Sequence, residues 1–246
     1  MSATQRVSGS VPTLLLFDID GTLVAGASHL HAQALHDAIK QVHGVDVRQA
    51  RADGVVISPA GRTDNEIARL LLQAVGVGQQ QIDAGAGAVE AATCARYDEL
   101  CPADISELVL PGIAKLLAWL AAQDSARLSL VTGNFEPVAR RKLGAAGIGK
   151  YFRPDEGGFG SDSELRAELP AFARRRSGTR AGYEQPWPAQ RAIVIGDTPR
   201  DIACARADGV RCVAVATGRY SVDQLLDADA VAADAYELQP VLARLL

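Results

Sequence analysis

The 246-residue chain is poor in several residue types, and each shortage removes a class of protein. Its four cysteines (Cys94, Cys101, Cys204 and Cys212) are too few and too scattered for a disulfide scaffold. None forms a CxxC pair, so zinc spacing is missing as well. They read as small core residues of a reduced, cytoplasmic protein. No apolar run approaches the ~20 residues that a membrane-spanning helix requires. The segment Met1 to Val11 is polar and lacks the apolar stretch of a secretory signal. A net charge of −4 argues against a protein that binds nucleic acid through a global basic field. Lysine is scarce: only Lys40, Lys115, Lys142 and Lys150 occur, and arginine supplies the remaining positive charge. With 48% hydrophobic and 22% charged residues the chain is not disordered. Its length suits one large domain or a core with an inserted second domain.

After a tail over residues 1–12 comes the apolar run Leu14 to Phe17, closed by Asp18-Ile19-Asp20-Gly21-Thr22. A short all-apolar run ending in Asp and Gly predicts a buried parallel strand and its exit loop. The unit recurs at Leu128–Val131 before Thr132-Gly133-Asn134, at Ile193–Ile195 before Gly196-Asp197-Thr198, and at Val213–Val215 before Ala216-Thr217-Gly218. A weaker case is Ala230–Ala232. Helical patterns follow at Val138–Ala146, Asp201–Ala207 and Val222–Leu226, and alternating strands and helices define an α/β fold with a mainly parallel sheet. Ligands bind such sheets beyond the carboxyl ends of their strands. Those ends carry Asp18, Asp20, Thr132, Asn134 and Asp197.

Residues 25–107 show no strand followed by an acidic turn. Ala32, Leu35, Ile39 and Val42 share a helix face, and Ile67, Leu70, Leu71, Ala74 and Val75 follow the i, i+3, i+4, i+7, i+8 pattern. Thr63-Asp64-Asn65-Glu66 opens the second helix as a capping box. The alanine-rich stretch 86–100 is helical too. The organisation is thus a Rossmann-like, parallel-sheet α/β core over residues 1–24 and 108–246, with an all-helical insertion at 25–107.

Two carboxylates one residue apart at the end of a buried strand can divide a reaction between them. One attacks an electrophile, while the other gives a proton to the leaving group and then takes one from water. Asp18 and Asp197, gathered by the sheet, make an oxygen-rich site suited to Mg²⁺. Thr132 offers a hydroxyl, and Gly133, Asn134 and the helix start behind them offer donors to an anion.

Asp18-Ile-Asp20-Gly-Thr-Leu, Thr132-Gly-Asn134 and Gly-Asp197-Thr-Pro-Arg-Asp201 resemble the first, second and fourth motifs of the haloacid dehalogenase superfamily. The helical insertion resembles the cap of its phosphoglycolate-phosphatase-like branch. The likeness extends from about Leu14 to the end of the chain. It implies that Asp18 is a nucleophile that becomes an aspartyl-phosphate and that Asp20 is the general acid/base, with its backbone carbonyl on Mg²⁺. It further implies that Thr132 hydrogen-bonds the phosphoryl group, and that Asp197 is a Mg²⁺ ligand with Asp201 supporting it directly or through water. The family places a lysine, sometimes an arginine, ahead of the fourth motif. No lysine follows Lys150, so the role falls to an arginine, and Arg166 leads into the helix Leu169–Arg176. Arg174, Arg175 and Arg176 further along that helix read as solvent-facing. Gly157 to Gly160 reads as a loop without a P-loop ending.

The resemblance implies a Mg²⁺-dependent phosphatase for a small phosphorylated metabolite. Arg62, just before a cap helix, is a candidate substrate reader or an ordinary surface arginine. His29, His31, His36 and His43 read as surface histidines, with His29 or His31 close to the site mouth. A sugar phosphomutase shares the motifs. A dehalogenase lacks the second aspartate, and a phosphonatase wants a cap lysine, for which only Lys40 is present. A receiver domain is about half this length, and a non-catalytic phospho-ligand-binding protein would be expected to have lost these acids.

Overall fold

The computed structural model describes residues 11–25, 28–48 and 57–246. Six parallel strands form one sheet in the order β3-β2-β1-β4-β5-β6. They are β1 (Thr13–Phe17), β2 (Ala126–Thr132), β3 (Gly158–Phe159), β4 (Ala192–Gly196), β5 (Arg211–Val215) and β6 (Ala230–Ala232). The helices among the described residues are α1 (Ser28–His43), α2 (Asp64–Ala74), α3 (Gln79–Leu100), α4 (Ile113–Ala121), α5 (Glu136–Ala145), α6 (Leu169–Arg180), α7 (Pro199–Ala207) and α8 (Ala235–Ala243). The tail expected over residues 1–12 lies, as far as residue 10, outside the described residues. None of the described helices is long and apolar enough to cross a membrane.

Apolar residues run continuously through the central strands because both faces of the sheet are covered. Leu15, Phe17, Ile193 and Ile195 join one buried cluster, while Leu14, Leu16, Ala192 and Val194 join the other. Side chains alternate across a strand, so each strand feeds both layers. Ile113, Leu116, Leu117 and Leu120 give α4 one buried stripe against the sheet. The helices α1, α2 and α3 pack on one another, with Leu35, Ile39, Leu72, Val89 and Tyr97 in the same cluster as Phe17 and Phe135. The chain leaves and re-enters the sheet at one place. There the Ala25 N–H donates to Leu108 O at 2.9 Å, and that of Leu110 to Leu23 O at 3.0 Å.

The helical stretch expected at Val222–Leu226 is the short 3₁₀ helix Val222–Leu225. Two expectations are corrected. Gly158–Phe159, expected as loop, pairs with Val131 and Thr132 as the edge strand β3. Arg174 does not face solvent freely but forks onto Asp208 at 2.7 and 2.8 Å, and the partly exposed Arg176 forks onto Asp162 at 2.6 and 2.7 Å. Arg175 is exposed.

Strand order places the site. From β1 the chain moves outward to β2 and β3, then returns to the other side of β1 for β4, β5 and β6. A crevice opens beyond the strand ends where the direction reverses, between β1 and β4.

Candidate active site

Register brings the acids together. Phe17 is the partner of Leu130 on one side and Ile195 on the other. Asp18, Thr132 and Asp197, each one or two residues further on, therefore emerge side by side. The Asp18 N–H donates to Ile195 O at 2.8 Å, which ties the first loop to β4. Gly21 has φ +89°, and a Cβ there would lie 2.4 Å from Asp197 Oδ2. Only glycine allows the first loop to turn that closely over Asp197. Thr22 Oγ1 donates to Asp197 Oδ1 at 3.2 Å.

Asp18, Asp197 and Asp201 are buried, and one carboxylate oxygen from each lies within 4.8 Å of the others. Burial pushes the Asp18 carboxyl up to about 7; Arg166 opposes this, while Asp201 and Asp20 add to it. Burial, and then the charges of Asp18 and Asp201, push Asp197 up to about 8. Such a cluster of hard oxygen donors, short of positive charge, fits a divalent cation such as Mg²⁺. Asp201 is the least free of the three. Its Oδ1 accepts from Arg166 Nη2, and its Oδ2 accepts from the Thr198 hydroxyl at 2.6 Å and the Thr198 N–H at 2.9 Å. Those bonds close the capping box that starts α7, so Asp201 serves the helix and the site together.

Arg166 stands on a 3₁₀ turn just before α6, 8% exposed, with Nη2 3.2 Å from Asp18 Oδ1. Its Nε is buried and has no hydrogen-bond partner among the described residues. Thr132 is buried, and its hydroxyl accepts from the Asn134 N–H at 3.4 Å. Gly133 is pressed against the loop before α2: a Cβ would lie 2.0 Å from Arg62 O, and the Gly133 carbonyl accepts from Asp64 N at 2.8 Å.

Lys142, on α5, was not among the expected site residues. It is fully buried, with Nζ 2.7 Å from both oxygens of Asp20 and 2.8 Å from Asn134 Oδ1. Asn134 Nδ2 donates to Asp20 Oδ2 at 3.0 Å. Burial alone would raise the Asp20 carboxyl, but the Lys142 ammonium, with help from His31 and Asn134, holds it below the usual carboxylate range.

Arg62 is not at the centre. Its Nε donates to Ser58 O at 3.0 Å, and its Nη1 pairs with Glu66. His31, expected on the surface, is buried instead. Its Nε2 is 3.0 Å from Asp64 Oδ2, the oxygen that accepts the Phe135 N–H at 2.7 Å. Lys40 pairs with Asp46 on the surface.

A buried carboxylate, a second acid beside it, a hydroxyl and a buried cation thus stand at adjacent ends of a parallel sheet. The pattern of the haloacid dehalogenase-like hydrolase family matches residues 15–206, and the chain belongs to that family. A phosphoglycolate phosphatase of Pseudomonas fluorescens is 29% identical over 225 residues, covering 89% of this chain and 75% of that protein. The tyrosine-protein kinase PtkA of Mycobacterium tuberculosis is 28% identical over 215 residues, covering 87% of this chain and 66% of that one. In fold, the chain is similar to a β-phosphoglucomutase from Clostridium difficile. The TM-score is 0.64 at 17% identity, with 95% of this chain and 96% of that one covered.

Proposed function

We propose that the protein is a Mg²⁺-dependent phosphatase that hydrolyses a small phosphorylated metabolite through an aspartyl-phosphate on Asp18. The observation that carries this reading is the buried Asp18 carboxylate, set 3.2 Å from Arg166 Nη2 and beside Asp197. A phosphoryl group seated at Asp18 would give the unpartnered Arg166 Nε–H an acceptor, and it would lie beside Thr132 and the donors of Gly133 and Asn134. Asp18, Asp197 and the Asp20 carbonyl would hold the metal, with Asp201 steadying the group. When bound, Mg²⁺ offsets the repulsion between an anionic nucleophile and an anionic phosphate.

In the first half-reaction Asp18 Oδ attacks phosphorus while Asp20 protonates the departing alcohol. In the second, Asp20 takes a proton from water, whose oxygen attacks phosphorus and frees Asp18. Lys142 keeps Asp20 ionised for the second half, and it makes a proton placed there easier to pass on in the first. Residues 25–107 act in this reading as the cap, which excludes bulk water and selects the substrate over a core of 1–24 and 108–246. Four free cysteines support a cytoplasmic setting. The name of the Pseudomonas relative favours phosphoglycolate as the first substrate to try.

Asp18→Asn removes the nucleophile, and its release of phosphate from p-nitrophenyl phosphate in Mg²⁺ is expected to vanish. Near-native turnover by that variant would sink the reading.

A further inference from the structure

Arg166 is the phosphate-facing cation of the proposed reaction, yet little in its own neighbourhood along the chain fixes it. It stands on the three-residue turn Arg166–Glu168, whose start has no side-chain cap. Ahead of it, residues 160–165 join that turn to β3, an edge strand of two residues. A stretch with so little secondary structure takes its place from the bonds it makes outward.

Several of those bonds come from the first turns of α2. Thr63, fully buried, donates its hydroxyl proton to Glu164 O at 2.7 Å, 101 residues along the chain. Asn65 Nδ2 donates to Gly160 O at 3.1 Å. Arg69 Nε donates to Glu164 Oε1 at 2.5 Å, and its Nη1 lies 2.9 Å from Asp83 Oδ1 on α3. Thr63, Asn65 and Arg69 thus grip both ends of the stretch, with Glu164 held twice, by its carbonyl and by its side chain.

The other side of the stretch meets the site. The Gly160 N–H donates to Asn134 O at 2.9 Å, and a Cβ on Gly160 would lie 2.1 Å from Gly133 O. Ser161 Oγ accepts the Glu136 N–H at 3.0 Å, at the start of α5. Two residues past Glu164, the Arg166 guanidinium reaches Asp18 and Asp201. Residues 160–165 therefore lie between α2 and two groups that would face a phosphoryl oxygen, the Arg166 fork and the donors of Gly133 and Asn134. A shift of the stretch moves the fork, and a misplacement of about 1 Å at such a group can cost on the order of 10²-fold in rate.

We propose that Thr63, Asn65 and Arg69 are positioning residues for Arg166: by holding residues 160–165, α2 sets where the guanidinium meets a phosphoryl group at Asp18. This rests on the phosphatase reading and adds to it a link between the helices α1 to α3 and the basic residue of the site. Phosphate is gripped fully only while α2 is seated on the stretch, and a displaced α2 leaves Asp18 in place beside a weakened clamp.

A double-mutant cycle tests this. Turnover of p-nitrophenyl phosphate and calorimetric affinity for inorganic phosphate, both in Mg²⁺, are measured for the full-length wild type, T63V, N65A, R69M, the T63V/R69M pair and the same pair in an R166A background. Urea unfolding confirms that each variant is folded under the assay conditions. The pair is expected to lower kcat/KM and phosphate affinity roughly tenfold with Arg166 present, and by no more than about twofold without it. T63S, which keeps the hydroxyl, is expected to retain both. Equal losses in the two backgrounds overturn the proposal, because a role in folding alone does not depend on Arg166; a pair that matches the wild type overturns it too. R166Q serves if R166A does not fold, and E164Q serves if the pair does not, with the same outcomes. A wild type that hydrolyses no ester sinks the phosphatase reading and leaves the phosphate titration to decide the joint by the same comparison. A wild type that binds no phosphate either overturns both.

Discussion

Lys142 is the residue on which the charge of Asp20 rests. A fully buried ammonium is costly unless it is paired and hydrogen-bonded, and here Asp20 and Asn134 take all of its donors. Lys142→Met keeps much of the volume, removes the charge and leaves Asp20, about a quarter exposed, with Asn134 as its main partner. The variant is expected to lose roughly 1–3 kcal/mol in urea unfolding, a discount from the ~3–5 typical of a fully buried pair. Its kcat should fall more than its KM changes. A cycle with Asp20→Asn should show coupling of about 1 kcal/mol or more, and strict additivity would separate the two residues. The sequence contained a signal for Lys142: it shares a helix face with Val138, Ala139, Leu143 and Ala145. A lysine inside an apolar stripe calls for a buried partner, but no short motif marks it. Asp18, Asp20 and Asp197 were easier to find because one apolar run before each announces its strand end. Arg166 emerged by elimination of lysine, and the fold sets its guanidinium against Asp18 and Asp201.

At the scale of elements, caps and strand exits were legible, and contacts between distant elements were not. Thr63 accepts the Glu66 N–H at 3.1 Å, as its spacing predicts. The other half of that box is missing, because the Glu66 side chain turns to Arg62. Asp64, read as part of the same local cap, reaches 71 residues along the chain to the start of α5, and His31 bonds the same oxygen. No local pattern encodes that joint, since it depends on how α1 and α2 meet the second motif. Two core elements escaped for related reasons. β3 has only two residues and exists through its pairing with β2. α8 carries Pro240 in its interior, a residue that normally argues against a helix. Asp64→Ala would strand the Phe135 N–H and the His31 ring, both buried. It is expected to cost about 1–3 kcal/mol in urea unfolding and to raise KM by loosening the seat of α1 and α2 on the start of α5. A variant that matches wild type in both would show that the joint is incidental.

Across the whole molecule, one apolar cluster runs from the sheet through α5 into α1, α2 and α3, so those helices and the sheet share their packing. That layer holds a group of buried carboxylates whose mutual repulsion works against the fold, with Arg166 as the cation set among them. The mild net charge of −4 thus understates how many acidic groups are gathered at the strand ends. A cation that binds the folded protein and not the unfolded chain raises stability by RT ln(1 + [L]/Kd), about 2.7 kcal/mol at a hundred times Kd. For a chain of this size, each kcal/mol moves the thermal midpoint by roughly 2–4 °C. Saturating Mg²⁺ is therefore expected to raise the midpoint by on the order of 5–10 °C at neutral pH, and EDTA to reverse the rise. Asp197→Asn removes one of the proposed ligands and one of the repelling charges. Without metal it should melt at or above the wild-type midpoint, and with Mg²⁺ it should show little further rise. Differential scanning calorimetry over a Mg²⁺ series reads both effects. A wild-type midpoint indifferent to Mg²⁺, or an Asp197→Asn protein with an undiminished response, would place the metal elsewhere or remove it from the site.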